Sequence, residues 1–286
     1  MTGKLDRRLH AYRDDLADAS LAGRVEATRF AEGLPYHIAV PIASLHPRPS
    51  IEADLDTEAL GGEAVTVFEV ENGWAWCQLA GDGYVGYVPA DMLAAGAPSA
   101  ATHKVRARET FAYSEPTARS KPQRSWLFGA ALQAVADAPE NFLELEDGTF
   151  VGSRHVEAID AIAPDYVATA ATMLGAPYLW GGKSIRGIDC SGLVQLSLQR
   201  AGIDCPRDTD MQAGALPGDL KITDNILREL QRGDIVYWPG HVGLMIDETQ
   251  LIHANGTNMS TTIDPVELIA GRSRKVGPIV AAVKRL

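Results

Sequence analysis

The chain has 286 residues, 46% hydrophobic and 22% charged, the balance of a folded protein of two or three domains rather than a disordered one. A formal net charge of −11 excludes nucleic acid or an anionic membrane surface as the main partner. No stretch approaches the roughly 18–20 apolar residues of a membrane span, and the charged N-terminus has no apolar core of signal-peptide length. Three cysteines, Cys77, Cys190 and Cys205, make a poor disulfide framework and fit a reducing compartment, so a cytoplasmic location is expected. In chain order, Leu5, Leu9, Tyr12, Leu16 and Ala19 recur at helical spacing and predict an amphipathic helix over 5–20, within a leader spanning 1–35.

From 36 to 98 the texture changes to short alternating runs. Residues 64–70 read as a strand, Asn72-Gly73 as a hairpin turn, 74–79 as a second strand, and Gly81-Asp82-Gly83 as a turn into 84–88. Strands at this spacing predict a small β-barrel. The stretch GAPSAAT at 96–102 reads as a linker. A weaker copy follows over 102–160, with 142–145, the turn Asp147-Gly148, and 149–152 echoing the first unit. Through WAWCQL and DGYVGYVP the two units resemble bacterial SH3-like domains. Taken singly, Trp74, Trp76, Tyr84 and Tyr87 read first as barrel core or hairpin packing.

In the remainder, 161–286, residues 166–174 predict a helix ended by Gly175 and Pro177. A polar region lies around 206–218. Strands are expected over 234–238, 241–246, 250–254 and 278–283. Helices followed by an antiparallel meander make this an α+β domain.

The densest chemistry lies in 177–194, PYLWGGKSIRGIDCSGLV. Cys190 follows a glycine-rich turn and heads an apolar helix, where the helix dipole favours the thiolate. A thiol nucleophile needs an imidazole base and a group that orients it. His241 begins a strand, and His253 lies in the next run, so a short hairpin sets them on neighbouring strands. Gly243, on the same strand face as His241, suggests room for substrate. Each residue also has a plainer reading. Cys190 serves as a small buried hydrophobe, a single histidine as structural, and the three together as zinc ligands, the last weakened by the absence of CxxC or HxxxH spacing.

The sequence YLWGG…GIDCSGLVQ, followed by RGDIVYW, GHVGLMI and LIHANG, resembles the NlpC/P60 family of cysteine peptidases over roughly 165–286. The resemblance implies a papain-like α+β fold and cleavage of peptidoglycan stem peptides without metal or cofactor. It makes Cys190 the nucleophile, His241 the base, His253 the orienting group and Tyr178 a hydroxyl beside the nucleophile, with Asp189 and Ser191 lining the site. SH3-like units ahead of such a domain are similar to the cytoplasmic γ-D-glutamyl-L-diamino acid endopeptidases of cell-wall recycling. That likeness implies a murein peptide with a free N-terminal L-alanine as substrate. Asp208 then matches the group that holds its amine, Tyr84 a residue of a capping barrel, and Asp54 or Glu58 an acidic partner. Cys205 reads as a structural thiol. The rivals are an endopeptidase on intact wall peptidoglycan, a non-catalytic wall-binding module, and a papain-like acyltransferase acting on lipid.

Overall fold

The computed structural model describes residues 5–273 and 280–286. The chain divides into a first unit ending at Ala161 and a second running from Ile162 to Leu286. Among the described residues no helix is long and apolar enough to cross a membrane.

In the first unit, β1 (Leu34–Ile38), β2 (Ala64–Glu71), β3 (Trp74–Leu79), β4 (Val85–Pro89) and β5 (Leu93–Ala95) form a five-stranded sheet in the order β4-β3-β2-β1-β5. Asn72 and Gly73 join β2 to β3 with φ of 50° and 81°, the left-handed pair that a two-residue hairpin loop requires. Short strands Ile42–Leu45 and Thr57–Leu60 pair beside this sheet.

A second sheet follows, built from β6 (Glu109–Tyr113), β7 (Pro122–Leu127), β8 (Ala134–Ala138), β9 (Phe142–Leu145) and β10 (Phe150–Gly152), ordered β7-β6-β10-β9-β8. Among the described residues of this unit, every named strand pair lies wholly within 16–95 or wholly within 103–158.

The leader departs from the expected helix. Residues 5–20 form turns, the short strand Leu16–Asp18 and the start of a 3-10 turn at Ala19–Leu21. The cause is burial on two sides. Ala11 and Leu16 pack with Phe68, Trp76 and Val85, while Tyr12, Ala17 and Leu21 form a separate cluster. Adjacent residues facing opposite ways need extended backbone, which a one-striped helix cannot supply. Asp14 and Asp15 bind Arg7 and Arg13, and these pairs hold the turn between them.

The second unit carries α1 (Tyr166–Ala171), α2 (Cys190–Arg200), α3 (Thr209–Ala215), α4 (Ile226–Glu229) and α5 (Val266–Ser273). Its sheet consists of β11 (Ile235–Trp238), β12 (His241–Met245), β13 (Gln250–Asn255), β14 (Ser260–Pro265) and β15 (Ala282–Lys284). The order is β14-β13-β12-β11-β15, a four-strand meander with the last strand added antiparallel to β11. Of the strand expected over 278–283, residues 278 and 279 lie outside the described residues. Val236, Trp238, Met245 and Leu251 from the sheet pack with Val266 and Ile269 of α5 in a buried core. The sequence reading missed β14 and α5, and it left α3 inside a polar region.

Candidate active site

Cys190 is the first residue of α2 and is 7% exposed. Asp189 caps the helix, accepting the Gly192 N–H at 2.7 Å as a short polar side chain at that position can. Its other oxygen accepts the Gly181 N–H at 2.9 Å and ties the glycine turn to the helix start. Arg207, 1% exposed, reaches both carboxylate oxygens at 3.0 and 2.7 Å and also donates to the Ser191 hydroxyl at 2.8 Å. Asp189 and Ser191, expected to line the site, are buried, with side chains bonded to each other, to Arg207 and to backbone N–H groups around Cys190. Gly192 is obligatory for packing, because a Cβ there would lie 2.4 Å from the Gly182 carbonyl oxygen. The glycines around the cysteine therefore let two backbone segments touch.

The two candidate histidines come from the β12–β13 hairpin. His241 Nε2 lies 2.7 Å from His253 Nδ1, with the rings edge to face. His253 is almost fully buried, and its Nε2 lies 3.0 Å from an oxygen of Asp264. Asp264 sits on β14, two positions from Thr262, which pairs directly with His253. That diagonal places both side chains on one sheet face. Sequence reasoning missed Asp264. The only cue was a polar alternation, Thr262 and Asp264, in a segment that did not read as a strand.

Gly243 does not open a substrate space. A Cβ there would lie 2.5 Å from Leu251, so this glycine makes room for a core leucine.

Electrostatics correct the expectation of a resting thiolate. Burial pushes the Cys190 thiol up to about 12, and the nearby charge of Asp189 adds to the shift. The Val242 and Ser191 backbone N–H groups face the sulfur and, with the Arg207 charge, act in the opposite direction without overcoming burial. Val242 is the residue after His241, so its contact seats the start of β12 against Cys190. Burial likewise pushes His241 down to about 4, helped by its contact with His253. Both groups are thus neutral at rest. Burial also lowers His253, while its bond to Asp264 opposes that shift. The hydrogen bond from His253 is the main cause holding the Asp264 carboxyl below its ordinary value.

Tyr178 is half-buried, and its phenol is pushed up to about 12, first by burial and then by Cys190 and Asp189. It therefore remains a protonated donor near the sulfur. Asp208 occupies the N-cap position of α3, but its side chain makes no capping bond. In the first unit, Tyr84 is buried in the approach to β4. Glu58 is buried on the strand Thr57–Leu60, whereas Asp54 is exposed. Cys205 is buried and in no disulfide, and its thiol donates to the Pro206 carbonyl at 3.5 Å.

Comparison with known proteins agrees with this geometry. Residues 175–270 match the model of the NlpC/P60 family, and residues 45–93 match that of a bacterial dipeptidyl-peptidase SH3 domain. The chain is 28% identical over 236 residues to a dipeptidyl-peptidase 6 of Lysinibacillus sphaericus, an overlap covering 75% of this chain and 85% of the relative. It is 35% identical over 127 residues to a gamma-D-glutamyl-L-lysine dipeptidyl-peptidase of Bacillus subtilis, covering 40% of this chain and 42% of the relative. The crystal structure of an NlpC/P60 family protein from Bacillus cereus superposes with a TM-score of 0.71 at 22% identity, covering 88% of this chain and 99% of that one, a likeness of fold. The buried cysteine at a capped helix start, the paired histidines and these matches agree that the chain carries an NlpC/P60 cysteine-peptidase domain together with a bacterial SH3 domain.

Proposed function

We propose that the chain hydrolyses the γ-D-glutamyl–diamino acid bond of short peptidoglycan stem peptides with a free N-terminal L-alanine, and that it does so in the cytoplasm during cell-wall peptide recycling. The observation that carries this reading is the 2.7 Å contact between His241 and His253 beside the helix-capped Cys190. Cleavage at this bond releases L-Ala-D-Glu, a dipeptide, which agrees with the dipeptidyl-peptidase names of the relatives.

Cys190 gives its proton to His241 as the sulfur attacks the γ-carbonyl carbon. The Tyr178 hydroxyl and the Cys190 backbone N–H donate to the oxyanion. His241 returns the proton to the departing amine as the carbon–nitrogen bond breaks, leaving a thioester. Water then gives a proton to His241 and attacks the thioester, and the sulfur leaves as thiol. In this reading His253 orients His241, while Asp189 and Ser191 hold the nucleophile.

Recognition of the free amine is assigned to Asp208 and to the first SH3-like domain, with Tyr84 as its aromatic element. Its acidic candidates are Asp54, which is exposed, and Glu58, which is buried. An ammonium taken out of water requires such a carboxylate. The domain limits we use are 36–98 and 102–160 for the SH3-like domains and 161–286 for the peptidase.

The reading is tested by incubating the protein with L-Ala-γ-D-Glu-diaminopimelate and identifying products by mass spectrometry. The expected products are L-Ala-D-Glu and diaminopimelate, absent with Cys190→Ala. An intact peptide after prolonged incubation with wild-type protein would refute the reading.

A further inference from the structure

We propose that Asp264 is a positioning residue of the catalytic centre: acting through His253, it fixes the tautomer of both histidines and leaves Nδ1 of His241 free to take the Cys190 proton. The inference rests on the peptidase reading above and adds a residue that sequence reasoning did not find.

The argument follows the protons along the chain of contacts. An ionised carboxylate only accepts hydrogen bonds, so the 3.0 Å contact between Asp264 and His253 places the proton on Nε2 of His253. Nδ1 of His253 is then a lone pair. At 2.7 Å from it, Nε2 of His241 must carry the donated proton. Only Nδ1 of His241 is left as a base.

A competitor stands beside this chain. The Asn255 amide nitrogen lies 3.2 Å from the same Nε2 of His253 and is itself a donor. Two donors cannot share that line, and the charge-assisted bond to the carboxylate is the stronger. The carboxylate is also held in place, since the same oxygen accepts from the Thr262 hydroxyl at 2.8 Å and the Asn258 amide at 3.2 Å. Asn255 turns instead to the Thr262 oxygen at 2.8 Å.

Without the carboxylate, Asn255 is placed to donate to Nε2 of His253. The proton of His253 then moves to Nδ1, Nε2 of His241 becomes the acceptor, and the proton of His241 occupies Nδ1. In that arrangement His241 cannot receive the thiol proton.

The test is nitrogen-15 NMR of the full chain labelled at histidine, for wild type and for Asp264→Ala and Asp264→Glu. The same proteins are assayed on L-Ala-γ-D-Glu-diaminopimelate. In wild type both histidines are expected to carry the proton on Nε2. Asp264→Ala is expected to move both protons to Nδ1 and to lower kcat/KM by about 100-fold or more, with KM nearly unchanged. Asp264→Glu is expected to recover the wild-type tautomers and most of the rate.

A wild-type His253 protonated at Nδ1 would overturn the proposal. So would an Asp264→Ala protein with unchanged tautomers, or one with inverted tautomers and full activity. If Asp264→Ala fails to fold, the wild-type tautomers and Asp264→Glu decide. If wild type cleaves nothing, the peptidase reading fails, and the tautomer measurement still judges Asp264.

Discussion

Burial at Cys190 and His241 lowers reactivity in the resting protein and sets how both should respond to pH. With the thiol pushed up to about 12 and the imidazole down to about 4, both are neutral across the working range. Alkylation by iodoacetamide should therefore rise steadily from pH 6 to 9, following the small thiolate fraction. A rate that is flat from pH 5 to 8 would reveal a preformed thiolate–imidazolium pair and contradict the neutral resting state. Stability should move as well. Above about pH 6.5 His241 is neutral whether folded or unfolded, so its full contribution is present. Below that, the unfolded chain takes up a proton that the folded one refuses until about pH 4, and stability falls as pH falls. His253 acts in the same direction. Thermal melts from pH 7.5 to 5 should show a declining midpoint, with a shallower decline in His241→Gln. At this scale the sequence revealed Cys190 and both histidines, because local motifs carry them. Asp264 was hidden, because its role depends on how β14 lies against β13.

The start of α2 shows why the glycine turn and the cysteine form one device. Gly192→Ala would drive a Cβ into the Gly182 carbonyl, with the Asp189 carboxylate at 3.1 Å on the other side. Such overpacking costs about 1–3 kcal/mol and would displace Cys190. Chemical denaturation should show that loss together with a fall in kcat. Arg207→Ala should be worse, since it leaves the Asp189 carboxylate buried without its main cation. Breaking such a pair costs about 3–5 kcal/mol. A variant of unchanged stability would show that the pair does not hold the turn. At the scale of elements, strands with hairpin turns were legible: Asn72-Gly73 and the β12–β13 hairpin need only local chemistry. The leader misled because Leu5, Leu9, Tyr12, Leu16 and Ala19 match a helical period by position alone. Leu16 packs in one cluster and Leu5 and Tyr12 in another, and spacing cannot show that.

Over the whole chain, the proposal joins a thiol peptidase to a filter for peptides with a free amine. The family resemblance pointed to Cys190, His241 and His253 directly, through motifs that keep their order and spacing. It pointed to Asp208, Tyr84, and Asp54 or Glu58 only by analogy, because residues drawn from separate segments leave no common spacing in the sequence. If those groups pair with an ammonium, Asp208→Asn should raise KM for the free peptide about tenfold or more, leaving kcat within a few-fold. The most direct measurement compares L-Ala-γ-D-Glu-diaminopimelate with its N-acetylated form at equal concentration, reading kcat/KM for each by mass spectrometry. The account predicts cleavage of the free-amine peptide at the γ-glutamyl bond, a rate at least 100-fold lower for the acetylated one, and neither with Cys190→Ala. Equal rates for the two peptides would contradict it.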